Sequence, residues 1–367
     1  MKIAQITHHY LPHIGGVEFY VKRLADSLHE RGIAVDVLTT DLGTSEQGRK
    51  PEATYFKTSF SYLRNPFSIA YIRHLRRTDY DILHLHSVWF LHGLMAVVFR
   101  KKARIISTIH GVYPDHSSVK LNLFLGLYKY FVAYILRKSE KVLVYSEIER
   151  NKVQKIFRVP SEKIVVIPMA INLEPYEDRV KDKIILFTGR IIPDKNPDLL
   201  IKATALLDHR FHHYRLVFVG PIEESYKQQL IELSKGLGIS NEIIFAGQLD
   251  PSVEKEKEQL INHYKSASVF TSLGSWEGQP TRLMEAMQHK TPVIAYAAGG
   301  TADFVTDNKN GFVIDKLDAA LLAKKIEAIL TDEALATRLG SEARRTIENG
   351  YAWNKTFEKI VELYTAR

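Results

Sequence analysis

The sequence of 367 residues contains no cysteine, which excludes disulfide bonds, thiol nucleophiles and thiolate metal ligands. It also has no long apolar run, because its most apolar stretch, residues 121–136, is interrupted by Asn122 and Lys129. A membrane-spanning helix needs about 20 apolar residues, and the first residues do not form the apolar segment of a secretory signal. These absences favour a cytoplasmic protein that does not span a membrane.

Acidic side chains are scarce in the first half of the chain. Residues 1–172 hold 25 Lys and Arg against 14 Asp and Glu, whereas the remaining residues hold 25 against 28. The excess is concentrated in residues 60–137, with 11 basic and 3 acidic side chains. This asymmetry indicates an anionic partner, such as an acidic lipid or a phosphate-bearing acceptor, or simply a solvated basic face. No helix-turn-helix signature, zinc spacing or aromatic RNA-binding motif is present, so we predict no nucleic-acid partner.

Strand-like and helix-like segments alternate in two successive series, which begin at KIAQIT (residues 2–7) and KIILFTGR (residues 183–190). Such alternation predicts a parallel sheet with helices on both faces. The fold class is therefore α/β, with two Rossmann-like domains at 1–172 and 173–350. The predicted linker is 167–183, because it combines prolines with charge and lacks periodicity. Ligands of such sheets bind beyond the carboxyl ends of the strands.

Two cations follow the strand that opens the second series. Arg190 comes directly after Gly189 at the end of the strand, and Lys195 precedes a helix that begins with proline. Cations beside a helix N-terminus suit an anion such as a departing nucleoside diphosphate. Two surface cations in a polar loop would give the same pattern.

Two glutamates flank the start of a later helix. Glu277 lies in the loop SLGSWEGQP, and Glu285 lies eight residues on, within a helix that Pro280 can open at its first turn. A carboxylate accepts two hydrogen bonds from a vicinal diol, so either glutamate suits a ribose or a hexose. The N–H groups of residues 279–282 can meet phosphate. A capping glutamate and an exposed helical glutamate are the alternative.

Glycine pairs occur after two strands, at Gly299-Gly300 and at Gly15-Gly16. Glycine lets the backbone approach a ligand closely, although an ordinary tight turn is equally consistent. The pair Gly15-Gly16 does not form a Gly-x-Gly-x-x-Gly fingerprint, so a dinucleotide cofactor is not indicated.

Histidines cluster at the ends of predicted strands. A neutral His110, at the end of ARIISTIH, can hydrogen-bond a sugar hydroxyl, or it is a buried structural histidine. His84 and His86 lie on one strand face, a spacing that also occurs in metal sites. No carboxylate lies close by to complete a ligand set, so we predict no metal.

These motifs together resemble glycosyltransferase family four over nearly the whole chain. The combination is more specific than any one motif. The matching segments are EGQPTRLMEAM with Glu277 and Glu285, Gly189-Arg190 with Lys195, Gly299-Gly300, PHIGGVE, DILHLH and STIHG.

The resemblance implies a GT-B fold, with two Rossmann-like domains facing across a deep cleft and a last helix, about residues 351–367, that crosses back to the first domain. The implied activity is that of a retaining hexosyltransferase that needs neither a metal nor a cofactor. Its donor would be a UDP-, GDP- or ADP-sugar held by the second domain. Its acceptor would be a glycan or a polyprenyl-linked sugar bound by the first domain, in cell-surface polysaccharide synthesis.

The resemblance also implies roles for particular residues. Arg190 and Lys195 would contact the diphosphate, and Glu285 would bind the ribose. Glu277 would touch the transferred sugar, with His110 beside it, so that these two and the two cations form the catalytic set. The remaining donor contacts are Gly189, Gly16 near the phosphates, the backbone near Gly247 and Leu249 at the base, and the loop residues Gly278, Gln279, Pro280 and Thr281.

The basic and aromatic segment from Tyr62 to Arg137 suggests contact with an anionic membrane, where a lipid-linked acceptor would be received. Ordinary helices that cover a sheet would show the same composition. Within the same fold, a sugar-nucleotide epimerase or a phosphorylase is the alternative enzyme, although no pyridoxal-type lysine motif is evident.

Overall fold

The computed structural model describes residues 1–13, 15–62, 65–86, 88–111, 119–176, 179–275 and 280–366, without the side chains of 119–125 and 127. The chain forms two compact units. The first unit is Met1–Pro168 with Thr356–Arg367, and the second is Met169–Lys355. The sequence placed the corresponding boundaries after residues 172 and 350.

The first unit is built on a parallel sheet. Its strands are β1 (Lys2–Ile6), β2 (Ala34–Thr40), β3 (Ala53–Phe56), β4 (Phe60–Tyr62), β5 (Asn65–Phe67), β6 (Ile82–Leu85), β7 (Arg104–Thr108), β8 (Lys141–Val144) and β9 (Ile164–Val166). The strand order is β3-β2-β1-β6-β7-β8-β9, while β4 and β5 pair as an antiparallel hairpin. The order reverses between β1 and β6, where Gln5 lies opposite His84. Such a switch point leaves a crevice at the strand ends.

Helices connect most of these strands, since parallel neighbours need a crossover connection rather than a tight turn. They are α1 (Gly16–Glu30), α2 (Ile69–Arg77), α3 (Leu91–Phe99), α4 (Val119–Lys138) and α5 (Glu147–Phe157). The start of α5 is fixed by its cap, since the Ser146 hydroxyl accepts from the backbone N–H of Glu149 at 3.0 Å. The Glu149 carboxylate in turn accepts from the backbone N–H of Tyr145 at 2.9 Å.

The second unit repeats the design. Its strands are β10 (Ile184–Thr188), β11 (Arg215–Val219), β12 (Ile243–Phe245), β13 (Val269–Ser272), β14 (Val293–Tyr296) and β15 (Phe312–Ile314). Its helices are α6 (Pro197–Ala205), α7 (Glu224–Gly236), α8 (Glu254–Ser266), α9 (Thr281–Gln288), α10 (Ala319–Thr331) and α11 (Glu333–Gly350). The parallel strands follow the order β12-β11-β10-β13-β14-β15, so the switch point lies between β10 and β13. The last helix, α12 (Trp353–Thr365), begins in this unit and ends in the first.

Both faces of the second sheet are buried. Along β10, Ile185 and Phe187 pack into one apolar cluster, whereas Ile184 and Leu186 pack into another. Side chains alternate across a sheet with a period of two, so a strand covered on both faces appears in the sequence as a continuous apolar run. This burial explains why the start of the second series was recognisable from the sequence.

The predicted α/β class with two Rossmann-like units is confirmed by the two parallel sheets and their covering helices. The sequence missed the strands β3, β9 and β15 and the hairpin β4–β5. Three of these, β3, β9 and β15, are edge strands of three or four residues, which are too short to show a periodic pattern. Within the described ranges, no helix combines the length and the apolar character that crossing a bilayer requires.

Candidate functional site

Glycines terminate three neighbouring strands of the second sheet. Gly189, Gly220 and Gly247 follow β10, β11 and β12, with φ angles of 122°, 150° and 81° that favour glycine. Their backbones lie close together, since a Cβ on Gly220 would come within 1.9 Å of the Gly189 carbonyl oxygen. The N–H of Gly220 donates to the carbonyl of Gly247 at 2.8 Å. The strand ends therefore present backbone without side chains, as the approach of a phosphate or a nucleoside requires.

The loop after β10 carries both predicted cations. Arg190 is exposed, and Lys195 ends a short 3-10 turn at Pro193–Lys195. The next residue, Asn196, adopts φ 53°, and its side-chain amide donates to the Leu273 carbonyl at 2.7 Å. A neighbouring backbone hydrogen bond of 2.9 Å joins Ser275 to the Asp194 carbonyl. The lysine loop is thus tied to the chain that leads into residues 276–279.

Glu285 is held on α9 by two donors. The Tyr264 hydroxyl donates to Glu285 Oε2 at 2.8 Å, and Arg282 Nη1 donates to the same oxygen at 3.0 Å. Tyr264 Oη also lies 2.8 Å from Thr188 Oγ1, the last residue of β10. Because the tyrosine donates its proton to the carboxylate, Thr188 donates to the tyrosine. Tyr264 therefore bridges Glu285 to the strand end from which Gly189 and Arg190 follow.

The electrostatics of this bridge favour a fixed carboxylate. The nearby Glu285 charge raises the pKa of Arg282 above its usual range. Burial, followed by the Glu285 charge, raises the pKa of Tyr264 well above 10, so its hydroxyl remains a donor. Glu285 Oε1 accepts no hydrogen bond from a described residue, so this oxygen can accept hydrogen bonds from a diol.

The other predicted donor residues are only partly described. Glu277, Gly278 and Gln279 lie outside the described residues. Pro280 is the buried N-cap residue of α9, and Thr281 opens the helix, where first-turn N–H groups can meet an anion.

The three remaining predicted donor contacts differ in exposure. Gly16 opens α1 and is exposed, with no atom within 4 Å of the position a Cβ would take. Gly247 is exposed, while Leu249 is half-buried and packs against an apolar cluster of the second unit.

His110 lies in the first unit with both ring nitrogens bonded within the protein. Its Nε2 is 3.1 Å from His86 Nδ1, and its Nδ1 is 2.6 Å from Tyr145 Oη. Burial lowers the pKa of His110 to about 3, so the ring is neutral near pH 7. A sugar hydroxyl would have to displace one of these partners to reach a ring nitrogen.

His84 and His86 lie on one face of the sheet, as expected, with ring centroids 4.1 Å apart. Their nitrogens are also engaged in the protein. His84 contacts Thr108 at 2.7 Å and Tyr364 at 2.5 Å, and His86 contacts Gln5 at 2.6 Å. In the ranges that the structure describes, no group of three or more His, Asp or Glu side chains is placed to hold a metal ion.

The structure adds residues to the site that the sequence did not indicate. In the second unit they are Thr188, Asn196, Gly220, Tyr264 and Arg282. Gly220 had a signal, because it follows a strand in the dipeptide Gly-Pro, and Arg282 lies three residues before Glu285 on one helix. Tyr264 had none, because its partners lie 76 and 21 residues away in sequence.

Comparison with known proteins agrees with this architecture. Residues 168–346 match the family described as glycosyl transferases group 1, and residues 14–175 match Glycosyltransferase Family 4. An uncharacterized glycosyltransferase of Methanocaldococcus jannaschii is 24% identical, over 99% of this chain and 98% of the relative. The capsular polysaccharide biosynthesis glycosyltransferase CapM of Staphylococcus aureus is 24% identical, over 72% and 74% of the two chains. The solved structure of Anabaena HepE with UDP-glucose superposes with a TM-score of 0.78 at 17% identity, over 99% of each chain.

Proposed function

Since the chain is a glycosyltransferase with the GT-B fold, we propose that it transfers a hexose-type sugar from a nucleoside-diphosphate sugar with retention of anomeric configuration. The acceptor is a glycan or a polyprenyl-linked sugar in cell-surface polysaccharide synthesis, and the reaction needs neither a metal nor a cofactor. The relative that acts in capsular polysaccharide biosynthesis supports this process.

The observation that carries the proposal is the fixed carboxylate of Glu285. Tyr264 and Arg282 engage one of its oxygens and leave the other open toward a diol such as that of a ribose. Tyr264 places this carboxylate beside the end of β10, from which the cationic loop begins. The neighbouring glycine-lined strand ends admit the diphosphate and the base. UDP is the first candidate donor nucleotide, because HepE binds UDP-glucose, and GDP and ADP are the alternatives.

In this reaction the bond between the sugar C1 and the phosphate oxygen loosens, and charge accumulates on the departing diphosphate. Arg190 and Lys195 offset that charge, an effect typically worth about 3 kcal/mol for a well-placed donor. The acceptor oxygen then bonds to C1, and its proton passes to the leaving phosphate or to a group near Glu277. His110 stands beside the transferred sugar as a neutral ring.

Arg190→Ala tests the role of the cationic loop. We expect kcat/KM for transfer to fall by about 100-fold, because one donor to the developing charge is lost. The matched control is Arg215→Ala. Arg215 is also exposed, but it is the first residue of β11 and so lies at the amino end of the parallel strands, away from the loop that follows β10. Equal activities of the two variants would contradict the assignment.

The donor and the reaction type have separate tests. Thermal-shift measurements with uridine, guanosine and adenosine diphosphates and their sugars identify the donor that stabilises the protein. Nucleoside diphosphate released only when acceptor is present indicates transfer, whereas conversion of the donor without acceptor indicates an epimerase. Sugar 1-phosphate formed from a glycan and inorganic phosphate indicates a phosphorylase. An inverted anomer in the product, or loss of activity with EDTA, would overturn retention or metal independence.

We also propose that the first unit docks on the anionic inner face of the cell membrane. On α4, Tyr130, Phe131 and Tyr134 are 65%, 47% and 41% exposed. Lys129 Nζ lies 5.4 Å from the centre of the Tyr130 ring, and Lys138 Nζ lies 5.9 Å from the centre of the Tyr134 ring. Exposed aromatic rings beside basic side chains match the interface of an acidic bilayer, where rings enter the headgroup region and cations meet phosphate.

Liposome flotation tests this docking. Acidic vesicles are expected to carry the protein at low salt, neutral vesicles are not, and rising salt should release it. Replacing Tyr130, Phe131 and Tyr134 with serine should abolish flotation, while Leu206→Ser, at an exposed apolar residue of the second unit, should not. Absence of the wild-type protein from acidic vesicles would leave α4 as an ordinary sheet-covering helix.

A further inference from the structure

A continuous chain of hydrogen-bonded side chains runs through the first unit and includes His110. Adjacent members are separated by 2.5 to 3.2 Å. In order, the chain consists of Tyr145, His110, His86, Gln5, Tyr364, His84 and Thr108. It begins after β8, passes beyond the ends of β7 and β6 to β1, reaches the last turn of α12 and returns through β6 to β7.

The amide of Gln5 gives this chain a direction. Its Nε2 can only donate, and it lies 3.2 Å from Tyr364 Oη. Its Oε1 can only accept, and it lies 2.6 Å from His86 Nε2. Gln5 is fully buried, so neither end of the amide can turn to water instead. His86 must therefore carry its proton on Nε2.

The direction propagates from His86 to His110. With its proton on Nε2, neutral His86 offers Nδ1 as an acceptor, and the facing atom is His110 Nε2 at 3.1 Å. His110 must then carry its proton on Nε2 as well, which leaves its Nδ1 to accept from the Tyr145 hydroxyl at 2.6 Å. Both nitrogens of His110 are consequently used, one as donor and one as acceptor.

The other end of the chain obeys the same direction. Tyr364 accepts from Gln5 and donates to His84 Nδ1 at 2.5 Å, and His84 Nε2 then donates to Thr108 Oγ1 at 2.7 Å. Each link thus has one donor and one acceptor, and no member needs a charge. A buried chain that is fully paired in this way has a common direction, because reversing one link alone would leave two donors or two acceptors facing each other. The orientation of the Gln5 amide selects that direction.

We propose that Gln5 and Tyr364 are positioning residues that hold His110, through His86, as a neutral imidazole with its proton on Nε2. Neither ring nitrogen of His110 is then open to a sugar hydroxyl while the chain is intact. His110 therefore shapes the site through its ring edge and its fixed orientation. This assignment of the tautomer stands on the first unit alone, whereas its effect on turnover rests on the proposed function.

Burial agrees with the neutral state of the whole chain. Desolvation lowers the pKa of His84 to about 3 and that of His86 well below 6.5. A proton added to His86 Nδ1 would set two N–H donors against each other at 3.1 Å. A proton added to His110 Nδ1 would remove the acceptor of the Tyr145 hydroxyl at 2.6 Å. The ring tautomers should therefore be constant across the pH range in which enzymes of this kind are assayed.

The test is the protonation of each histidine ring, read from long-range ¹H–¹⁵N correlation spectra of the full-length protein. His86→Asn and His110→Asn assign the two rings by loss of their signals. In the wild-type protein we expect one protonated and one bare nitrogen in each ring, with the proton on Nε2. A proton on Nδ1 of His110 would mean that the chain runs in reverse, and it would overturn the proposal.

Variants of Gln5 separate the effect of the hydrogen-bonded chain on His110 from the effect of packing. Gln5→Met keeps the length of the side chain but removes both links, so His110 should lose its single tautomer. Gln5→Glu retains an acceptor for His86 Nε2–H and should keep the wild-type tautomer. Ser139→Ala is the matched control, because Ser139 is equally buried and hydrogen-bonds Ser107 outside the chain. An unchanged His110 tautomer in Gln5→Met would overturn the proposal.

Tyr364→Phe provides a second variant if Gln5→Met does not fold. It removes the acceptor that orients the Gln5 amide, so a mixture of His110 tautomers is expected. A single unchanged tautomer would overturn the proposal. In transfer assays, kcat of Gln5→Met should fall by about ten-fold and recover in Gln5→Glu. Equal kcat in Gln5→Met and Ser139→Ala would overturn the effect on turnover. Absence of transfer in the wild type would refute the function, while the spectra still decide the tautomer.

Discussion

Replacing Tyr264 with phenylalanine removes one hydroxyl group that joins two parts of the candidate donor site. That hydroxyl donates to Glu285 and accepts from Thr188, and the side chain is 1% exposed, so water does not readily replace it. In Tyr264→Phe, Glu285 keeps Arg282 as its described partner. The Thr188 hydroxyl loses its acceptor at the end of β10.

The magnitude follows from the kind of bond that is lost. A hydrogen bond to a charged group contributes about 1.5–3 kcal/mol, so the free energy of unfolding of the second unit should fall by about 2 kcal/mol. For a unit of this size, a loss of that order lowers the melting temperature by roughly 4–8 °C. Affinity for the nucleoside diphosphate should weaken by about ten-fold, because Glu285 is no longer oriented before binding.

Calorimetric melting and titration with UDP measure the two effects in the same protein. Tyr226→Phe is the matched control, since the hydroxyl of this half-buried tyrosine on α7 makes no hydrogen bond to a described residue. A Tyr264→Phe protein that melts with the control and binds UDP as tightly as the wild type would refute the bridge. Lower stability with unchanged UDP affinity would show that Tyr264 supports the fold but does not orient Glu285 for the ligand.

Three further changes probe the second unit. Gly220→Ala places a Cβ 1.9 Å from the Gly189 carbonyl and should destabilise the unit by more than about 2 kcal/mol in chemical unfolding; Gly236→Ala, with open space on α7, should instead be neutral or stabilising by about 0.5–1 kcal/mol. Asn196→Gly tolerates the positive φ but removes the bond to the loop after β13, so UDP affinity should fall by about ten-fold while the melting temperature stays close to that of the wild type. Burial lowers the pKa of Lys181 from 10.5 to about 8, so between these pH values the unfolded chain binds more protons than the folded chain. In urea titrations, the free energy of unfolding of the wild type relative to Lys181→Met should therefore rise from pH 8 to pH 10.5.

Local patterns in the sequence were sufficient for the architecture. Continuous apolar runs marked the central strands of both sheets, such as β6 and β10, because all their side chains are buried. The Gly-Arg pair after β10 and the proline before α9 were visible as strand and helix ends, which are set by residues adjacent in sequence. The edge strands β3, β9 and β15, of three or four residues, were too short to show a periodic pattern.

The sequence by itself thus determined two Rossmann-like units and a cationic loop at a strand end. Both features are local, because the periodicity of a helix or strand and the residues that end it are adjacent in sequence. Tertiary structure alone decided which side chains hold the site residues. Gln5 and Tyr364 are 359 residues apart, and Thr188 and Tyr264 are 76 apart, yet each pair shares a hydrogen bond. Such buried polar links depend on strand order and on the path of the last helix, and no spacing in the sequence encodes either of them.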